Sequence, residues 1–218
     1  MLFIVPTPIG NLKDITLRSL EVLQNSDGII CEDSRRTSLL LNHYSISKPL
    51  IVLNDYNEAR ELGSIVGRLN QGQNLALVSD AGTPLISDPG YKLVRECLQQ
   101  GIEVDSLPGP SSVITALTLS GLPPDKFTFL GYPPEKPGHR KKLFENLSSQ
   151  SGTIIFFVSP HKLIRVLNDM KETLGDIEVT LAHELTKIHQ STGQKKISGW
   201  LNTLKSPKGE YVLLLRSF

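Results

Sequence analysis

The residues with the greatest chemical potential form one stretch, Ser79-Asp80-Ala81-Gly82-Thr83-Pro84-Leu85-Ile86-Ser87-Asp88-Pro89-Gly90. Gly82 and Gly90 allow backbone conformations and close approaches that a Cβ would block, while Pro84 and Pro89 stiffen the turns between them. Asp80 and Asp88 add two carboxylates to a segment that otherwise exposes amide groups. That combination suits a ligand carrying hydroxyls or a positive charge better than a bare phosphate. An architectural reading also exists, in which Asp88 caps the following helix with Pro89 at its first position. It leaves most of the special residues without a purpose.

Three further stretches are as rich in glycine, proline or paired polar groups: residues 6–14, residues 32–37 (Glu32-Asp33-Ser34-Arg35-Arg36-Thr37) and residues 108–112 (Pro108-Gly109-Pro110-Ser111-Ser112). Each follows a short segment that reads as a strand, at residues 2–5, 28–31 and 104–107, as the apolar run at residues 74–78 does before the first stretch. In a parallel sheet such strand ends converge on one edge, where open α/β folds bind ligands. A second set, residues 157–160, 182–187 and 208–210, occupies the same kind of position in a smaller second domain. Two such edges facing one another would form an interdomain cleft, a common cofactor site.

The intervening segments have helical periodicity. Helices are predicted over about 15–24 with Asp14 as cap, from Ser34 as cap to about 44, from Asn57 as cap to about 70 with Gly72 as stop, over 91–100 and over 113–119. The βαβα rhythm predicts a mostly parallel sheet over residues 1–121. Gly121-Leu122-Pro123-Pro124 breaks it and sets the expected boundary. Residues 122–218 then read as a second α/β domain. Its strands fall at 127–130, 153–158, 179–182 and 210–215, and its helices at about 139 onward, 161–173 and a short one capped by Ser198.

Composition and motifs exclude several classes. Hydrophobic residues at 39%, charged residues at 21% and a net charge of +1 describe an ordinary globular protein and argue against indiscriminate polyanion binding. Cys31 and Cys97 have no paired spacing, and the five histidines are scattered, so neither a disulfide framework nor a metal site is expected. A reducing, cytoplasmic compartment follows, and no run is long enough to span a bilayer. Absence of a Walker loop, of G-x-G-x-x-G after the first strand and of G-x-S-x-G argues against kinases, dinucleotide dehydrogenases and α/β-hydrolases.

Pro6-Thr7-Pro8-Ile9-Gly10-Asn11-Leu12-Lys13-Asp14-Ile15-Thr16 resembles the opening signature of the ribosomal RNA small-subunit methyltransferase I family, within the tetrapyrrole methylases. Glu32-Asp33-Ser34-Arg35, residues 79–90, residues 108–112 and Glu184-Leu185-Thr186-Lys187 match its later motifs in order, and the match covers essentially the whole chain. The resemblance implies two α/β domains with S-adenosylmethionine in the cleft between them. It implies methylation of the 2′-hydroxyl of a cytidine in the decoding region of 16S rRNA on the small ribosomal subunit, by a homodimer. Pro8, Asp80, Gly82, Thr83, Ser111 and Ser112 would line the cofactor from the first domain, and Val158, Thr180 and Glu210 from the second.

A ribose hydroxyl needs a base to draw off its proton, and Asp33 and Glu184 are the candidates, with Glu32 behind them and Lys187 beside Glu184. RNA would be met by Arg35, Arg36, Arg140, Lys141, Lys142 and Lys187. The chain departs from the family pattern at Val158-Ser159-Pro160-His161-Lys162 and at Gln190. Two alternatives stand beside this reading: a methylase of a corrin or porphyrin precursor, and a non-catalytic S-adenosylmethionine-binding protein.

Overall fold

The computed structural model describes residues 1–216, with the side chains of all but residues 148 and 149. The chain forms two compact units, Met1–Ser111 and Ser112–Phe218. In the first, β1 (Leu2–Ile4), β2 (Gly28–Cys31), β3 (Leu50–Val52), β4 (Leu75–Leu77) and β5 (Val104–Ser106) alternate with α1 (Leu17–Asn25), α2 (Ser34–His43), α3 (Glu58–Asn70) and α4 (Tyr91–Gln99). The sheet is parallel throughout, in the order β3-β2-β4-β1-β5. Strand alternation sends Ile29, Cys31 and Ala76 to one face against Leu23, Leu40 and Leu41. Ile30, Leu75 and Leu77 go to the other, against Ile65, Leu69, Leu93 and Cys97. With both faces covered, the central strands β2 and β4 can be short and free of polar side chains.

Helix starts differ from the sequence expectation in ways that matter for the site. The cap of α1 is Thr16, whose hydroxyl accepts from the Ser19 N–H at 3.0 Å. Asp14 instead closes a 3₁₀ turn over Leu12–Asp14. At α2 the extended residue is Asp33, whose carboxylate accepts from the Arg35 N–H at 2.9 Å, so Ser34 is already helical. Asn57 stands at the start of α3 but accepts from the Asn54 N–H and donates to the Val52 carbonyl, closing the turn after β3. Gly90, at φ +116°, takes the cap position of α4, and Asp88 does not cap it.

The second unit contains α5 (Ser112–Leu119), β6 (Phe127–Phe129), α6 (Pro137–Glu145), β7 (Thr153–Val158), α7 (Pro160–Leu174), β8 (Glu178–His183), β9 (Ser191–Lys196), α8 (Ile197–Thr203) and β10 (Tyr211–Arg216). Its sheet runs β6-β7-β10-β8-β9, with β6 parallel to β7 and the other pairs antiparallel. Helix α5 packs on β10, so the division falls ten residues before the expected 121/122 boundary. Helix α6 begins at Pro137 rather than His139. Ser198 is not a cap, since its N–H and hydroxyl both bond Asp176. Strand β9 escapes a pattern search because it is polar along its length and pairs only with β8, which leaves no apolar alternation to read.

Candidate active site

In the first unit the four strand-end loops are tied directly to one another. Thr7 and Gly82 exchange two backbone hydrogen bonds, Thr7 N–H to the Gly82 carbonyl at 2.9 Å and the reverse at 3.0 Å. The buried Thr7 hydroxyl donates to the Ser79 carbonyl, and the Thr83 hydroxyl donates to the Pro110 carbonyl at 3.0 Å. The Asp33 N–H reaches Asp80 Oδ1 at 3.3 Å, joining the β2 loop to the β4 loop. Gly82 adopts φ +85°, and a Cβ there would sit 3.3 Å from Ile9. At Gly109 a Cβ would come within 2.7 Å of Pro6, so the β5 loop lies on the β1 loop only because it lacks one. Leu85 and Ser87, at φ +74° and +70°, show a loop held by its surroundings against local preference.

Three carboxylates of this edge are pushed upward. Asp88 rises to about 6, first from burial, then from the charge of Glu32, against a lowering hydrogen bond from Ser79. Glu32 rises from burial and from Asp80 and Asp55. Asp80 rises from burial, offset by Arg36, whose Nε lies 3.4 Å from Asp80 Oδ2. Asp33 goes the other way. Arg35 donates to it from the backbone and, at 3.1 and 2.7 Å, from the guanidinium, and these hydrogen bonds hold its carboxyl at about 2. A carboxylate so placed accepts a proton poorly, which argues against Asp33 as the base. Asp88, read from sequence as a ligand-facing carboxylate with capping as the alternative, is lifted to about 6 by burial that only folding creates.

In the second unit β10 is antiparallel to β7 and β8, so Tyr211 pairs with both Val158 and His183. The ends of β7 and β8 and the start of β10 therefore share one edge. Glu184 N–H donates to the Glu210 carbonyl at 3.0 Å, and Glu184 Oε1 accepts from the Glu210 N–H and from Lys187 Nζ, both at 2.9 Å. Lys187 also reaches Glu210 Oε2 at 3.0 Å. Gly209 makes room, because a Cβ there would lie 2.6 Å from Glu184 Oε1. The ammonium of Lys187 and the Glu210 N–H lower the Glu184 carboxyl against its burial.

Val158 and Thr180 are not brought together on one face. Val158 packs with Val179, Leu181 and Tyr211 against α6 and α7, whereas Thr180 alternates to the opposite side of β8. There its hydroxyl oxygen is buried without a hydrogen-bond partner among the described residues. A cavity of about 450 Å³ opens beside Val158, lined also by Tyr132, Phe157, Arg140 and Lys162.

The family model described as Tetrapyrrole (Corrin/Porphyrin) Methylases matches residues 1–198. The chain is 46% identical over 216 residues to a ribosomal RNA small subunit methyltransferase I of Thermotoga maritima, covering 98% of this chain and 97% of that one. This chain belongs to the ribosomal RNA small subunit methyltransferase I family. The Escherichia coli O157:H7 member is 47% identical over 219 residues, 98% of this chain and 77% of its own. The fold is shared more widely, since a crystal structure of diphthine synthase superposes with a TM-score of 0.77 at 14% identity, covering 99% of this chain and 89% of that one.

Set against the RNA that the family's name specifies, the expected basic residues are mostly engaged. Arg35 pairs with Asp33, Arg36 with Asp80, Lys141 with Glu172 and Lys187 with Glu184 and Glu210. Arg140 is corrected outright. Only 2% exposed, it spends its guanidinium on Asp169 and on the Pro134 and Glu135 carbonyls, because α6 lays that side chain inward against α7. Lys142 is exposed and, among the described residues, outside any ion pair.

Proposed function

We propose that this chain transfers a methyl group from S-adenosylmethionine to small-subunit ribosomal RNA, at the 2′-hydroxyl of a cytidine in the decoding region of 16S rRNA. On this reading it works in the cytoplasm as a homodimer. The observation that carries it is the 46% identity running through nearly the full length of both this chain and its Thermotoga maritima relative. Charge distribution agrees. The second unit holds 14 Lys and Arg against 9 Asp and Glu, a net +5, and the first holds 9 against 13, a net −4. The near-neutral total conceals a unit suited to a polyanion.

Both units offer groups that fit the cofactor. In the first, the Asp80 carboxylate can accept from its hydroxyls, the backbone at Gly82, where a Cβ would meet Ile9 and the Pro110 carbonyl, stays open, and Pro8, Thr83 and Ser111 are assigned to the same lining. In the second, the Thr180 hydroxyl is buried with no hydrogen-bond partner among the described residues and can meet a polar group, and Ser112 and Glu210 add others, while Val158 faces the core on the opposite side of the sheet and is left out of this lining. When bound, the cofactor supplies a methyl on a sulfonium centre. The chain's own task is then to align the attacking oxygen, exclude water and take its proton. Asp88 is assigned as the base, since its carboxyl near 6 can accept a proton at neutral pH. Glu184, locked by Lys187 and the Glu210 N–H, is assigned to hold the corner in shape.

Transfer of tritium from labelled S-adenosylmethionine to 30S subunits from a strain lacking the modification tests the function, with the label expected on one cytidine ribose. No transfer to 30S subunits, with transfer to a corrin precursor, would replace this reading by the tetrapyrrole one. Asp80→Ala is expected to weaken cofactor binding by about tenfold to a hundredfold, the worth of a lost charged hydrogen bond. Calorimetry measures this, with thermal unfolding little changed; undiminished affinity removes Asp80 from the site.

A further inference from the structure

Besides Lys142, the second unit carries exposed lysines that are not among the basic residues expected from sequence to meet RNA. Lys195 and Lys196 end β9, Lys205 and Lys208 sit in the loop of residues 204–209, and none of the four has a carboxylate at ion-pair distance among the described residues. Lys195 lies over the half-buried Trp200 ring at 4.7 Å, which fixes its stem on α8.

The chain path strings these lysines between the far end of β9 and the corner, with Lys195 and Lys196 flanking the open edge of β9 from its two faces. Strand β9 leaves the corner at Ser191, opposite His183, and reaches Lys196 opposite Glu178, about 17 Å away at the usual strand rise. Helix α8 and the 204–209 loop then return the chain, so that the Lys208 carbonyl accepts from His183 Nε2 at 2.8 Å. Glu210 follows in the Glu184–Lys187–Glu210 corner. At the turn between β8 and β9, positive φ at Glu184 and Thr186 shapes a tight hairpin whose Ile188 is 97% exposed.

Lysines on an edge strand discourage pairing with another sheet, and that accounts for Lys195 and Lys196. It does not account for Lys205 and Lys208, which lie off the strand in the returning loop. Single-stranded or helical RNA, whose phosphates need unpaired cations along a line, matches the whole set by charge.

We infer that Lys195, Lys196, Lys205 and Lys208 form a phosphate track along β9 and the 204–209 loop that leads the RNA backbone to the Glu184–Lys187–Glu210 corner. This rests on the RNA-methylating reading above. It assigns the electrostatic grip to the β9 side of the second unit and not to α6.

The test is the full chain carrying Lys196→Gln, Lys205→Gln and Lys208→Gln together, which leaves Lys195 on Trp200. A charge-matched control carries Lys48→Gln, Arg95→Gln and Lys171→Gln. Binding to 30S subunits lacking the modification is measured across a salt series, alongside S-adenosylmethionine affinity and thermal unfolding. The track variant is expected to bind 30S subunits about tenfold or more weakly, with the slope of log affinity against log salt reduced by about 2–3, and to keep its cofactor affinity and melting temperature. The control is expected to change neither affinity nor slope. A parent that methylates 30S subunits, with a track variant matching it or with a control that loses as much, overturns the track and leaves the function standing. A parent that neither binds nor methylates 30S subunits overturns the functional reading, and the track falls with it.

Discussion

Arg140→Ala is expected to destabilise the protein by about 3–5 kcal/mol, the usual consequence of removing one partner from a buried ion pair. Arg140 Nε donates to Asp169 Oδ2 at 2.7 Å, Nη2 shares that oxygen, and Nη1 donates to the Pro134 and Glu135 carbonyls at 2.8 and 2.9 Å. Alanine would leave Asp169, itself 13% exposed, charged and without a partner, and would free two carbonyls of the loop entering α6. Arg140→Lys keeps the charge without the planar fork, so only part of the loss should be recovered. Pairing Arg140→Met with Asp169→Leu removes both charges and should recover more than either single change. Urea unfolding of the three variants measures these differences. A loss under about 1 kcal/mol for Arg140→Ala would mean that solvent reaches Asp169 readily.

Asp88→Asn is expected to lower turnover on 30S subunits by about a hundredfold or more, the range lost with a general base, while cofactor affinity holds. In the parent, kcat/KM should rise with pH through about 6, where the Asp88 carboxyl releases its proton, and the variant should lack that limb. Stability should move oppositely. Because folding raises this carboxyl from its ordinary value near 4, the native state keeps a proton that the unfolded chain has already released between about pH 4 and 6. Stability therefore falls as pH rises through that window, and the asparagine variant should escape the fall. Its gain at pH 7 is on the order of 1 kcal/mol, since Asp88 is only half-buried and solvent screens part of the penalty. A variant that is both slower and more stable identifies a charge kept for chemistry at the fold's expense. Unchanged turnover with an unchanged pH limb would move the base to Glu32, whose carboxyl burial and Asp80 also raise.

The sequence by itself determined the two α/β units, the parallel sheet of the first, the strand-end loops along one edge of that sheet and the family. All of these rest on local signals: apolar runs of strand length, helical periodicity, and Gly and Pro at turns, which act over a few residues. It also grouped Glu184, Lys187 and Glu210 correctly, although only the antiparallel entry of β10 between β7 and β8 makes them touch. The state of the charges was decided only in part along the chain, since Arg35 is a local partner of Asp33 two residues away, whereas the charge of Glu32 reaches Asp88 from far away in sequence. Asp33 and Asp88 are the same residue type in neighbouring loops, yet Arg35 drives one to about 2 and burial beside Glu32 lifts the other to about 6. Arg140 and Lys142 lie two positions apart on one helix, where a rotation of about 200° sends the first into the core and the second to solvent. Strand β9 carries no signal of its own and exists because β8 offers it an edge. A residue's type and spacing are set along the chain, whereas its desolvation and, beyond near neighbours such as Arg35, its ion partners depend on groups far away in sequence, so they are fixed only when the chain packs.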